Sequence, residues 1–129
     1  MTLQECYGKL HGNYEDAKSR LAMDRLIEKF MLKFLDDTSM DLLKTSVAEG
    51  NIQESFRAAH TLKGVAANLA FTELMERVSE LTEQLRPCTE PADEVLYQKV
   101  VESYDLTIQA IEHTRLRCKI SCLRAVFTG

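Results

Sequence analysis

The chain predicts an all-α fold, on three observations. Every long segment repeats its apolar residues at helical spacing, no segment alternates apolar and polar residues as a half-buried strand would, and the segment ends carry helix-starting and helix-stopping residues. Thr2 with Glu5 three residues on reads as a capping box for a short first helix ending near His11-Gly12, and Asn13 with Asp16 starts a second short one. Asp24 is expected to cap a stronger helix, whose stripe of Leu26, Ile27, Phe30, Met31, Phe34 and Leu35 runs up to Asp36-Asp37. Thr38 or Ser39 begins the next, and Gly50 closes it in the usual C-terminal position. Asn51, with Glu54 three residues on, caps a helix that gathers Ala58, Ala59, Leu62, Val65, Ala66 and Leu69 on one broad arc, with Ile52 at its edge. Thr72 is the expected N-cap of the following segment, which carries Leu74, Val78, Leu81 and Leu85. A link as short as residues 70–72 makes these two helices antiparallel neighbours. Pro87 stops the second of them, and residues 87–91 form the clearest loop. Pro91 suits the first turn of a long last helix with Val95, Leu96, Val100, Val101, Tyr104, Ile108 and Ile111 inward. The expected architecture is an antiparallel four-helix bundle from about Thr38 to Phe127, with the helix from Asp24 and the two short N-terminal helices packed across one end.

A length of 129 residues matches one domain, and 45% hydrophobic with 28% charged residues suffices for a conventional core. We divide it into short N-terminal helices (1–23), a core (24–112) and the basic end of the last helix (113–129). No run of ~20 apolar residues is present to span a bilayer, and the N-terminus lacks the basic-then-apolar pattern of a signal peptide, so a cytoplasmic monomer is expected. Cys6, Cys88, Cys118 and Cys122 form no CxxC pairs and read as reduced thiols, not a zinc site or disulfide framework. The net charge of −4 is uneven: residues 1–112 hold twelve Lys/Arg against twenty Asp/Glu, whereas residues 113–129 hold four bases and no acid. Arg115, Arg117, Lys119 and Arg124 make too small a footprint for nucleic acid. They fit a solvated helix end whose cations complement the dipole.

The most informative stretch is His60-Thr61-Leu62-Lys63-Gly64-Val65-Ala66-Ala67-Asn68. At ~100° per residue, His60 falls opposite the apolar arc of its helix. Beside it on the outward surface stand Gly64, one turn later, and Ala67, nearly two turns later, where an ordinary solvated helix carries long charged side chains. The imidazole therefore stands in a clearing. Gly64 should cost about 1 kcal/mol relative to alanine inside a helix, so it serves close approach of another molecule's backbone rather than helix stability. Lys63 sits at the rim with Phe56, within reach of an anion on His60.

This run resembles the signature of histidine-containing phosphotransfer (HPt) domains, an AHxLKG pattern with small residues and a terminal LG. Here it reads Ala59-His60-Thr61-Leu62-Lys63-Gly64, then Asn68-Leu69-Ala70, and the resemblance extends from about Asp24 to Arg86. It implies that His60 is the phosphoacceptor, that Lys63 stabilises the phosphate, and that Phe56, Gly64 and Ala67 form the docking surface with part of the helix from Asp24 as its other wall. The implied partners are receiver domains of response regulators, with a hybrid histidine kinase the further candidate. A receiver would bring the aspartate and the magnesium, leaving this chain a phosphocarrier without cofactor or turnover. Two residues depart from the pattern: Val65 stands where serine is frequent, and Ala70 where glycine is usual. Because Thr72 can cap the next helix and Asn68 tolerates left-handed backbone just upstream, the turn is expected to form without a left-handed residue at 70.

Other chemistry finds no support in the residues. A dimetal bundle needs Glu-x-x-His pairs, yet Arg57 precedes His60 and Ala110 precedes His113 by three, so no metal site is expected. A complete kinase needs a glycine-rich phosphate loop, which five scattered glycines cannot make. The competing reading is an HPt-like scaffold that binds a signalling partner through the same patch without being phosphorylated. An imidazole in the clearing favours the phosphocarrier, since a scaffold has no need of one.

Overall fold

The computed structural model describes the backbone of residues 2–128 and the side chains of residues 2–114. The described residues fold into seven helices: α1 (Leu3–Lys9), α2 (Tyr14–Leu21), α3 (Asp24–Phe34), α4 (Ser39–Glu49), α5 (Ile52–Asn68), α6 (Thr72–Leu85) and α7 (Glu94–Thr128). Three begin with the caps their sequences call for. Thr2 Oγ1 accepts the Glu5 N–H at 3.1 Å, Asn13 Oδ1 that of Asp16 at 2.9 Å and Asn51 Oδ1 that of Glu54 at 3.1 Å. Each occupies a donor that the first helical turn leaves without a carbonyl. Gly50 closes α4 at φ 70°, the left-handed conformation that glycine adopts without steric cost.

Helix α4 starts at Ser39 behind Thr38, as expected, and three other starts differ from expectation. Asp24 lies inside α3 behind an uncapped Met23, and its carboxylate instead accepts the Tyr14 hydroxyl. At the start of α4 the Thr38 carbonyl accepts the Leu42 N–H at 3.0 Å but its side chain caps nothing, while Asp37 Oδ1 takes the Ser39 N–H at 2.8 Å. Thr72 belongs to the first turn of α6, with its hydroxyl turned back to the Ala70 carbonyl at 3.4 Å. Pro91 lies ahead of α7. Its carbonyl accepts from Gln84 Nε2 at 3.0 Å while Gln84 Oε1 accepts the Asp93 N–H at 2.8 Å, and Asp93 Oδ1 takes the Val95 and Leu96 N–H groups, both at 3.0 Å.

Helices α4 to α7 form the antiparallel bundle, each packed on the next in sequence. Leu43, Leu62, Leu74, Val78, Leu81, Leu85, Val100 and Ile111 fill its centre at 0% exposure, each contributing roughly 1.5–3 kcal/mol by leaving water. One residue expected inside is outside: Val95 is 64% exposed on the first turn of α7; on the α3 stripe, Phe30 is 38% exposed. Cys6 and Cys88 are free thiols, and the side chains of Cys118 and Cys122, like the basic residues after His113, lie outside the described ones. Among the described residues no helix is long and apolar enough to cross a membrane.

The N-terminal helices close over the turn between α5 and α6. The Tyr7 hydroxyl donates to the Leu69 carbonyl at 2.7 Å, the Asn13 N–H to that of Ala70 at 2.9 Å, and the Glu73 N–H to that of His11 at 3.2 Å. Phe71, fully buried, stacks edge-on against Phe34 and packs on Tyr7, with ring centroids 5.3 and 5.7 Å apart. Inside this clamp Ala70 adopts φ 56°, contrary to the turn expected from Thr72 and Asn68. Thr72 caps nothing, so the backbone must reverse at residue 70. Three hydrogen bonds and the aromatic cluster hold it in a conformation that costs an L-residue about 1–2 kcal/mol.

Candidate functional site

The buried arc of α5 consists of Ser55, Ala58, Ala59, Leu62, Ala66 and Leu69, with Ile52 and Val65 at its half-buried edges. That orientation turns His60 to solvent, as the helical spacing requires. One turn on, Gly64 is also exposed, and a Cβ built on it would meet nothing within 4 Å. Ala67, a turn further, is half-buried and carries only a methyl group. The clearing is therefore a feature of the folded chain.

Phe56 stands one turn before His60, with ring centroids 6.0 Å apart and planes tilted by 51°. The Arg86 guanidinium, from the end of α6, lies over the Phe56 ring, 5.4 Å from its centroid. Gln53, Phe56, Arg57, His60, Arg86 and Cys88 border an open groove of about 510 Å³. Arg86 is also forked onto Glu83, with Nε and Nη2 at 3.0 and 2.7 Å from the two carboxylate oxygens. The guanidinium holds the Glu83 carboxyl below the usual carboxylate range, and Lys63, half-buried on α5, adds its charge to the same effect.

On the other flank, Phe30, Lys33 and Phe34 of α3 face Val65, Asn68 and Leu69 of α5 across a largely apolar groove of about 380 Å³, which Arg20 and Leu21 of α2 extend. Gly64 sits one turn after His60 and one turn before Asn68, on the strip of α5 between the two grooves. The structure thus brings Phe56 to His60 and leaves Gly64 and Ala67 open beside them, with α3 as the far wall. Arg86 was missed by sequence reasoning. It follows Leu85, the last inward residue of α6, and only the packing of α6 on α5 brings it to a phenylalanine thirty residues earlier. Among the described residues no three His, Cys, Asp or Glu side chains gather in a way that could hold a metal ion.

The family model of the Hpt domain matches residues 29–114. The chain belongs to the Hpt domain family. Hpt domains are helical bundles that serve as phosphocarriers in phosphorelays, and the match covers the second half of α3, all of α4 to α6, and α7 up to residue 114. Helices α1 and α2, which clamp the α5–α6 turn, precede it. None of the curated proteins and none of the solved structures compared with the chain matches it.

Proposed function

We propose that this Hpt domain relays a phosphoryl group through His60, accepting it from the aspartyl phosphate of one receiver domain and passing it to another. The observation that carries this reading is the exposed imidazole beside the open surface at Gly64. In-line transfer needs a neutral ring nitrogen with its lone pair free and room for the donor on the far side of the phosphorus. As the bond from phosphorus to the aspartyl oxygen breaks, one from phosphorus to the imidazole nitrogen forms, and the carboxylate leaves with the electron pair. Lys63 carries a charge that pairs with the phosphoryl oxygens after transfer. The receiver's own carboxylates and magnesium supply the rest, so the chain has the role of carrier and substrate, without turnover of its own. Phe56, Gly64 and Ala67 form the centre of the docking surface, and the α3 groove extends it. We read the chain as one functional unit, monomeric and cytoplasmic, in which residues 1–23 support the core and the basic residues after His113 end the last helix.

The test is incubation with a phosphorylated receiver, followed by assay of phosphate that is labile in acid and stable in base. Wild-type protein should acquire it. His60→Gln, which keeps size and polarity on an exposed helix face, should acquire none while its melting temperature barely moves. Labelling of that variant, or a wild-type protein that binds the receiver yet takes up no phosphate, would overturn the reading, the latter in favour of a scaffold.

A further inference from the structure

Arg86 is held in a way that stability does not explain. It is exposed, as is Glu83, with side-chain exposures of 51% and 58%. Exposed ion pairs of this kind contribute little to folding. Yet this long side chain has two simultaneous restraints: its fork closes on Glu83, and its guanidinium carbon lies over the Phe56 ring. The second restraint matters for function, because the Phe56 ring is itself packed beside the His60 ring. The guanidinium is two ring contacts from the imidazole and borders the same groove.

Glu83 has an equally particular place, since one carboxylate answers two cations, Arg86 by direct hydrogen bonds and Lys63 through its charge. The other arginine of the groove, Arg57, is occupied by Glu54 at 3.2 Å. Before phosphorylation, then, Glu83 is the hydrogen-bonded counter-ion of Arg86. A phosphoryl group on His60 changes that balance. It brings a charge approaching −2 and three acceptor oxygens, against the single charge of a carboxylate. The planar fork of arginine binds phosphate in bidentate fashion, and its face stays stacked on an aromatic ring while it does so.

Resting on the reading of His60 as phosphoacceptor, we propose that Arg86 is a second phosphate-binding residue, which leaves Glu83 for the phosphoryl oxygens once His60 is phosphorylated. Phe56 is the platform over which the guanidinium moves, and Glu83 is the counter-ion that holds it in place beforehand. Lys63 and Arg86 then take the phosphoryl group from two sides, one from α5 and one from α6. Hydrolysis needs water to reach phosphorus as the P–N bond breaks, so two paired cations lengthen the life of the phosphohistidine. Glu83→Gln frees Arg86 in advance and is expected to leave that life unchanged or extend it.

Phosphoramidate tests this without any receiver, because it gives its phosphoryl group to an imidazole nitrogen and releases ammonia. The lifetime of phosphohistidine is followed by 31P NMR in wild type, Arg86→Gln, Arg86→Lys and Glu83→Gln, with circular dichroism as the check on folding. Arg86→Gln should shorten the lifetime about threefold to fivefold, the range expected of an exposed charge pair. Arg86→Lys should fall between it and wild type. In the wild-type protein the Arg86 Nε–H resonance should shift on phosphorylation, a change that a purely structural contact with Phe56 would not produce. An unchanged lifetime in Arg86→Gln, or a stationary Nε–H resonance, overturns the proposal. If phosphoramidate labels His60 but no receiver exchanges phosphate with it, the relay reading fails and the role of Arg86 stands. If receivers transfer normally and Arg86→Gln is indistinguishable from wild type, only the role of Arg86 fails; absence of phosphate on His60 with either donor removes both.

Discussion

Two glycines mark the two treatments that α5 receives. A Cβ on Gly12 would come within 2.7 Å of the Leu10 and Tyr7 side chains and 2.8 Å of the Ala70 carbonyl, whereas one on Gly64 would meet nothing within 4 Å. The first glycine lets the N-terminal segment press its backbone against the end of α5. The second leaves the middle of α5 open to solvent. Only one turn of helix separates Gly64 from the residues under the clamp, so a rigid and an accessible region share one element. The fixed end sets the rotation of α5 about its axis, and with it the direction in which His60 points. A site that must meet two partners in turn gains from such a fixed support.

The largest expected effect is at the clamp. Tyr7 is 1% exposed, and Tyr7→Ala should lower stability by about 3–5 kcal/mol, as truncation of a buried aromatic ring does. Tyr7→Phe retains the ring but leaves the Leu69 carbonyl without its 2.7 Å donor, and should cost about 1–3 kcal/mol. Chemical denaturation measures both. Titration adds a sign. Burial first, and Cys6 beside it second, push the Tyr7 phenol well above its ordinary value, so above a pH of about 10 the unfolded chain releases a proton that the folded one retains. The contribution of Tyr7 is complete below that pH and declines above it. Denaturation midpoints should therefore fall less steeply with alkaline pH in Tyr7→Phe than in wild type, and equal slopes would show that the phenol is not desolvated.

The glycine pair makes the comparison quantitative. Gly12→Ala pushes a methyl group against backbone that cannot yield, and should destabilise by about 1–3 kcal/mol. Gly64→Ala should stabilise by about 1 kcal/mol, the helix-propensity difference in open space. Gly64→Gln should also hold or raise stability, yet slow transfer from a phosphorylated receiver by about tenfold, equivalent to about 1.4 kcal/mol of lost docking. If Gly64→Gln transfers as fast as wild type, the clearing is not the docking surface. If Gly12→Ala is neutral, the N-terminal helices do not grip the turn.

Much of this was legible because its causes are local. The caps at Thr2, Asn13 and Asn51 and the stop at Gly50 each depend on residues within four positions, and the exposure of His60 follows from the phase of one helix. The errors fall where distant groups decide. Ala70 is left-handed because Asn13 and Tyr7, some sixty residues away, fix the carbonyls on and before it. Pro91 lost the start of α7 to Asp93 because Gln84 on α6 holds both residues by its side-chain amide. Arg86 joined the site through a ring on another helix. Sequence periodicity gives the face of a helix but not which neighbour covers it, so the stripe of α3 does not tell that Phe30 borders a groove while Ile27 and Met31 are buried.

The smallest effect compares two alanines with the same backbone strain. Ala22 and Ala70 have φ values of 68° and 56°, but Ala22 is exposed at the end of α2 while Ala70 is 4% exposed under the clamp. Glycine relieves roughly 1–2 kcal/mol of strain at either position and gives back about 0.4–1 kcal/mol through the freer unfolded chain. At Ala22 nothing else changes, so Ala22→Gly should stabilise by several tenths of a kcal/mol, up to about 1. At Ala70 the methyl group is also removed from the core, at a cost of about 0.8 kcal/mol, and the terms nearly cancel. Ala70→Gly should therefore lie within about 0.5 kcal/mol of wild type with phosphotransfer intact. A gain at Ala70 as large as at Ala22 would mean that its methyl contributes nothing under the clamp; a clear loss would mean that the methyl matters more than the strain, and that the clamp uses it to lock the turn.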